Sequence, residues 1–150
     1  MNEYLDKVKS DLKRLDHIIY VSLKYTRTVD IIKHALDRMI SAFDNGFDGL
    51  LEKAKTKKKI IEVPEQPRKK CRILKETYPN NEKLMEYIDF YLLLRDLSQA
   101  KYTKREEFRR HVTMIADIGK EELVEVNIDV LNVYYVKMKE FLEYLEVEFT

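Results

Sequence analysis

The segment from Lys101 to Ile115 contains the residues whose types and spacing are best suited to chemistry. It places four cationic side chains beside one of the three histidines of the chain. Of the five cations in the segment, these four are the ones nearest to the histidine, His111, and they are Lys104, Arg105, Arg109 and Arg110. A guanidinium binds phosphate oxygens through several N–H groups, and histidine exchanges protons near neutral pH. An arginine held near His111 can therefore bind a phosphate group and move a proton.

Other kinds of reactive site find little support in the sequence. The chain has only three glycines, too few for the usual phosphate-binding or nucleophile loops, and none of those motifs occurs. A single cysteine, Cys71, excludes an internal disulfide and a cysteine-based zinc site. Asp30, His34 and Asp37 have metal-ligand spacing, but helical geometry turns them away from the apolar stripe toward solvent. The sequence therefore predicts neither a bound metal nor a cofactor.

Composition indicates one folded domain over residues 1–150. Hydrophobic residues make up 45% of the chain and charged residues 37%, which is typical of a globular protein. No apolar run approaches the roughly 18 residues that a membrane span needs. The N-terminal residues lack the apolar core of a signal peptide. We therefore expect a cytoplasmic protein without a membrane partner.

Charge is segregated along the chain, although the formal net charge is only +1. Ten lysines and arginines oppose two glutamates between Lys53 and Lys75, and five cations oppose two glutamates between Lys101 and His111. From Asp117 onward, nine acidic residues oppose three lysines. Such segregation is typical of an anion-binding face. It equally suits helix surfaces that complement each other within the fold or across a dimer, and both interpretations stay open.

Helical periodicity dominates the N-terminal third. Apolar residues step by three and four from Leu5 to Leu50, with one slip in phase. A single rod over this length would measure about 75 Å, too long for a compact domain of this size. The pattern predicts a break near Asp16, or a long helix that ends near Asp44–Gly49. We expect a kink or break at Asp44–Gly49, where Asn-Gly is a turn signal, with helix again to about Lys57.

The rest of the chain alternates between helical segments and one β-hairpin. Pro64 and Pro67 mark a linker, because two prolines three apart cannot lie inside a helix. Alternating apolar residues around Gly119-Lys120 predict a hairpin near residues 111–128, after which Asp129 caps the last helix. The predicted helices are Glu3–Lys57, Arg68–Tyr78, Asn81–Ala100 and Asp129–Glu146, and their predicted core includes Leu12, Ile32, Leu36, Phe43, Leu92 and Phe141. The fold class is mainly α, a helical bundle with one small β-hairpin.

The spacing of Arg105 and His111 resembles the hallmark of the HEPN superfamily of small α-helical domains. In that family an arginine precedes a histidine by a few residues, often with a polar residue directly after the arginine. Glu106 occupies that polar place here. The order of a long helical hairpin, a connector, a helix, the Arg–His pair and a final helix is also similar over most of the chain.

One departure from the family bears on this resemblance. The family usually carries the pair on a helix, whereas His111 here begins an alternating run. On a strand the two residues would lie about 20 Å apart. On a helix they would lie within about 9 Å along the axis. A functional pair of Arg105 and His111 therefore requires a helix or a turn at this point.

The resemblance implies an RNA-binding domain and, in active members of the family, a metal-independent endoribonuclease assembled across a homodimer. Under it, Arg105 would hold the scissile phosphate and His111 would exchange protons with the ribose 2′-hydroxyl or the leaving oxygen. Lys104, Arg109 and Arg110 would contact RNA phosphates without sequence preference.

A second function from a different class stays open. It is a non-enzymatic, dimeric helical scaffold that docks an acidic partner protein through its basic stretches. In that case the three arginines near His111 form salt bridges with Glu106, Glu107 and the acidic C-terminal helix. Ile18, Tyr20 and Val21 lie beside the main apolar stripe, and this surplus of apolar surface predicts a homodimer under either function.

Overall fold

The computed structural model describes residues 2–119 and 121–149. These residues form five helices and one antiparallel sheet. The helices are α1 (Asn2–His17), α2 (Val29–Thr56), α3 (Pro67–Thr77), α4 (Glu82–Gln99) and α5 (Ile128–Glu148). The strands are β1 (Lys101–Arg105), β2 (Thr113–Asp117) and β3 (Leu123–Val126), paired in that order. The predicted mainly α fold is confirmed.

The N-terminal helical segment ends later than the sequence predicted. It runs through Asp16 and continues as a π-helical turn over Ile18–Ser22 and a last α-helical turn over Leu23–Tyr25. The break lies at Thr26, which is extended, and Thr28 then caps α2 by accepting a backbone N–H. The break predicted near Asp16 is wrong, and so is the alternative of one long helix within the predicted range Glu3–Lys57. The π-helical turn accommodates an extra residue, so the apolar residues after it are rotated around the helix axis relative to those before it. This explains the slip in the apolar spacing without an end to the helix.

Helix α2 is continuous through Asp44–Gly49, so a break of the helix at this point, one of the two alternatives predicted, is wrong. A Cβ atom at Gly46 would lie 2.6 Å from the ring of Phe141, and one at Gly49 would lie 2.8 Å from the ring of Phe149. Both glycines therefore permit α5 and the residue that follows it to pack closely on α2. Glycine costs a helix only about 1 kcal/mol, which such packing can offset.

Aromatic rings fill the centre of the helical bundle. The ring centroid of Phe43 lies 4.5 Å from that of Phe141 and 5.8 Å from that of Tyr91. The predicted core residues Leu12, Ile32, Leu36, Phe43 and Phe141 are all buried. Leu92 is only partly buried, because Tyr91 and Leu94 occupy the inward face of α4 instead.

The β region contains three strands where one hairpin was predicted. Strands β2 and β3 form that hairpin, in register from Met114↔Val126 to Asp117↔Leu123. Strand β1 pairs with the other edge of β2 and exposes most of its side chains, so its sequence carries no apolar alternation. Lys120, which belongs to the predicted hairpin turn, lies outside the described residues.

Candidate nucleic-acid interface

The connection between β1 and β2 is a loop, residues 106–112, with a defined backbone conformation. The N–H of Arg109 donates to the carbonyl of Glu106 at 3.1 Å, and the N–H of Val112 donates to the carbonyl of Arg109 at 3.0 Å. Glu106 and Phe108 have left-handed φ angles of 54° and 65°, which are uncommon for residues other than glycine. These hydrogen bonds and φ angles define the path of the loop backbone, and that path sets the directions of its side chains.

Hydrogen bonds attach this loop to the start of α2. The N–H of Phe108 donates to the carbonyl of Arg27 at 2.7 Å. The carboxylate of Glu107 accepts the N–H of Val29 at 3.1 Å, across 78 positions of sequence. Its other oxygen lies 3.4 Å from the ammonium nitrogen of Lys104. These bonds bring Arg27, in the connection between α1 and α2, beside the loop.

The two predicted catalytic residues lie on different kinds of backbone. Arg105 ends β1, and its guanidinium is hydrogen-bonded to the carboxylate of Glu125 on β3. His111 lies in the turn before β2 and not in a strand, so the turn that a functional pair of Arg105 and His111 would require is present. Arg105 is paired with Thr113 across the two strands, so the loop between them brings the chain back beside Arg105 only two residues after His111. Neither residue lies on a helix.

The predicted RNA-binding residues divide into paired and unpaired cations. The hydrogen bond from Lys104 to Glu107 raises the pKa of the lysine, and the nearby charge of Asp30 raises it further. Arg109 and Arg110 are exposed, and neither side chain forms an ion pair with any residue of the described chain. The salt bridges expected with Glu106, Glu107 and the last helix are therefore absent from the described residues for all three arginines, and Arg105 is paired with Glu125 on β3 instead.

Phe108 is a surface feature that was not predicted from the sequence. Its side chain is 76% exposed, although it is a large aromatic ring. It directly precedes Arg109 and Arg110, and an exposed ring beside guanidinium groups is how many proteins hold single-stranded nucleic acid. In the sequence, the position of this aromatic residue between two charged neighbours could have indicated that its side chain is exposed.

A pocket of about 280 Å³ opens beside the loop. Its lining residues are Arg27, Arg110, His111, Asn127, Ile128 and Asp129. The Nε atom of Arg27 is buried and has no hydrogen-bond partner within residues 2–119 and 121–149. Asn127 caps α5 by accepting the N–H of Val130 at 2.9 Å. The predicted cap, Asp129, lies instead in the first turn, because the cap is two residues earlier in the chain.

The longer basic stretch, Lys53–Lys75, has a different environment from the loop. Several of its cations lie within 4.0 Å of carboxylates on other elements of the bundle. These pairs are Lys53–Glu148, Arg68–Asp96, Lys70–Asp48 and Lys75–Asp89. Charge in this stretch is therefore partly compensated within the fold.

The described residues contain no group of three or more His, Cys, Asp or Glu side chains arranged to hold a metal ion. Asp30, His34 and Asp37 are exposed on α2, as their helical phase predicted. Asp37 accepts a hydrogen bond from the hydroxyl of Ser98 at 2.8 Å. No described helix is both long and apolar enough to cross a membrane.

Comparison with known proteins gives no family. No protein-family model matches the chain, and no curated protein or solved structure is significantly similar to it. The HEPN resemblance stays a prediction. Evidence about function comes instead from the loop and the pocket.

Proposed function

We propose that this protein binds single-stranded RNA through the β1–β2 loop and does not cleave it. The main support is the set of side chains that the loop exposes together, namely the ring of Phe108 and the guanidinium groups of Arg109 and Arg110. Aromatic rings stack on bases of any sequence, and guanidinium groups bind the phosphates between them. The choice of RNA follows from the HEPN resemblance.

The environment of Arg105 favours binding over cleavage. A catalytic arginine must offer its N–H groups to the scissile phosphate, whereas Arg105 donates to the carboxylate of Glu125. That carboxylate would also repel a phosphate at the same place. We therefore assign Arg105 to the sheet, where it links β1 to β3.

The loop also has the rigidity that a binding surface needs. Backbone and side-chain hydrogen bonds hold Glu107 and Phe108 to the start of α2. A loop that is ordered before binding loses little conformational entropy when it binds, so more of its contact energy is retained as affinity.

The first test removes the two unpaired arginines. The double variant Arg109→Ala/Arg110→Ala should bind single-stranded RNA of every sequence more weakly. It should also flatten the salt dependence, by about 0.7 in the log–log slope for each phosphate that the variant no longer binds. Fluorescence anisotropy with labelled oligouridine and mixed-sequence strands, at about 50 to 200 mM salt, measures both effects.

A matched control separates the loop from overall charge. Lys9→Ala/Lys13→Ala removes the same charge from exposed positions on α1 and should leave affinity and slope nearly unchanged. Phe108→Ala should weaken binding by about 1–3 kcal/mol without changing the slope, because stacking releases no counterions. Wild-type protein that binds no single-stranded RNA at about 150 mM salt would contradict the proposal and favour an acidic protein partner.

Cleavage is tested with the same strands. Labelled RNA incubated with the protein and a metal chelator should remain intact. Metal-independent cleavage by the wild type that disappears in His111→Ala would overturn the binding-only proposal and support the ribonuclease. The variant should keep most of its RNA affinity in either case, because a single imidazole adds little attraction for phosphate.

We also propose that the protein assembles as a homodimer. Val133 and Val136 lie one turn apart on α5 and are 57% and 50% exposed, and Tyr20 and Val21 are exposed on the π-helical turn. The rings of Tyr20 and Tyr135 lie 6.1 Å apart, so the π-helical turn and α5 adjoin. Exposed apolar side chains on adjoining elements are typical of a contact between subunits.

A further inference from the structure

Most of the residues that line the pocket beside the loop carry hydrogen-bond donors in their side chains. Arg27 and Arg110 contribute guanidinium groups from two distant parts of the chain, and His111 contributes an imidazole. The buried Nε–H of Arg27 has no acceptor among the described residues. A buried donor without a partner is unfavourable, so the side chain of Arg27 has unused hydrogen-bonding capacity beside the pocket.

The start of α5 adds further donors to the same pocket. Asn127 accepts the N–H of Val130, whereas the N–H groups of Ile128 and Asp129, which line the pocket, have no acceptor within the helix. The N-terminus of a helix of 21 residues also carries partial positive charge. Backbone and side chains therefore offer several donors to one anion with several oxygens.

The carboxylate of Asp129, which also lines the pocket, restricts which anions can bind there. It would oppose a bare anion but can accept a hydrogen bond from a hydroxyl. A phosphate attached to a sugar carries both groups, since its oxygens suit the guanidiniums and its hydroxyls suit a carboxylate. A terminal phosphate also has more charge and one more free oxygen than an internal phosphodiester, which suits two guanidiniums better.

We propose that this pocket binds a phosphate monoester on ribose, as carried by the end of an RNA strand. Arg27 and Arg110 bind the phosphate oxygens, and Asp129 accepts a ribose hydroxyl. Arg110 belongs to both the pocket and the loop, so a strand whose end occupies the pocket can continue along Phe108 and Arg109. The choice of an RNA end as the ligand rests on the proposed RNA binding. A free nucleotide carries the same ribose phosphate and is the other possible source of this group.

The test compares three oligouridines of equal length, which carry a 5′-phosphate, a 3′-phosphate or only hydroxyl ends. One phosphorylated strand should bind about tenfold more tightly than the hydroxyl-ended strand, as expected for charge-assisted hydrogen bonds. Arg27→Gln should abolish this preference and leave the affinity for the hydroxyl-ended strand unchanged. The side chain of Arg27 makes no hydrogen bond within the described chain, so the variant should fold, and thermal unfolding checks this.

Arg109→Gln is the matched control, because it removes the same charge from the loop instead of the pocket. It should weaken binding of all three strands by the same factor. Equal affinity of the wild type for the three strands, with Arg109→Gln still weakening them all, would overturn the pocket and leave RNA binding in place. Uridine monophosphate that binds the wild type but not Arg27→Gln, without binding of any strand, would support the pocket and overturn the RNA proposal.

Discussion

The arginines around the β1–β2 loop differ in their acidic neighbours, and the functions that we propose for them differ accordingly. Arg105 is bonded to Glu125 across the sheet, which leaves it poorly placed to receive a phosphate. Arg110 has no acidic partner in the described chain and lines a pocket with His111 and Arg27. The two arginines that we propose as phosphate ligands are the sequence neighbour of His111 and a residue from the connection between α1 and α2.

At the residue scale, Asp44 predicts a pH dependence of stability. Burial raises the pKa of its carboxyl, although the hydrogen bond that it accepts from the hydroxyl of Tyr91 at 2.5 Å opposes the rise. The native state therefore holds this proton more tightly than the unfolded chain. Its stabilising contribution is present below the ordinary pKa of 3.8 and is lost as pH rises through the raised value.

The variant Asp44→Asn removes this titration. We expect wild-type protein to lose stability relative to Asp44→Asn as pH rises from about 3.8 through the raised pKa, after which the difference should level off. Urea denaturation at a series of pH values gives the free energy of unfolding of both proteins. Asp6→Asn, at an exposed position on α1, controls for the loss of one carboxylate. A difference between Asp44→Asn and wild type that does not vary with pH would contradict the assignment.

At the scale of elements, close packing of α5 on α2 depends on a glycine. Gly46→Ala should destabilise the protein by about 1–3 kcal/mol, because its Cβ atom would overlap the ring of Phe141 and the Leu145 side chain. Helix propensity alone would favour the alanine by about 1 kcal/mol, so the sign of the effect distinguishes packing from propensity. Chemical denaturation measures it.

The control for Gly46→Ala lies on the exposed surface of the same helix. Lys55→Ala should change the free energy of unfolding by less than about 0.5 kcal/mol. A second substitution, Phe141→Leu, should cost less in the Gly46→Ala background than in the wild type, since the smaller side chain relieves the overlap. Stabilisation by Gly46→Ala alone would refute the close contact between α2 and α5.

At the scale of the whole molecule, exposed apolar residues predict how copies associate. Ile18 is partly buried and packs against the core, whereas Tyr20 and Val21 are exposed. Val136→Glu would place a charge in the proposed contact and should convert the dimer to a monomer. Light scattering at micromolar concentration should give twice the monomer mass for the wild type and the monomer mass for the variant.

A second exposed apolar residue provides the control for the dimer. Leu123 is 64% exposed on β3, and Leu123→Glu should leave the mass of the dimer unchanged. Circular dichroism should show that both variants keep the helical content of the wild type. Wild-type protein with the monomer mass would rule out the dimer at that concentration without affecting the RNA-binding proposal.

The sequence by itself determined the mainly α class, most of the core and the β2–β3 hairpin. These features depend on periodicity, which is local, so the spacing of residues such as Ile32, Leu36 and Phe43 was sufficient. Strand β1 escaped prediction because an exposed edge strand needs little apolar alternation. The continuity of α2 at Gly46 escaped prediction because the ring that fits against this glycine belongs to a distant helix.

For the candidate site, the sequence identified the cations, and only the tertiary structure decided what each one faces. Lys104 and Arg105 are close to Arg109 and Arg110 in sequence, yet the first two have carboxylate partners and the last two have none in the described chain. Arg27 joins the pocket through hydrogen bonds between segments far apart in the chain. Electrostatic interactions depend on distance in space, and spacing along the sequence does not specify that distance once the chain folds.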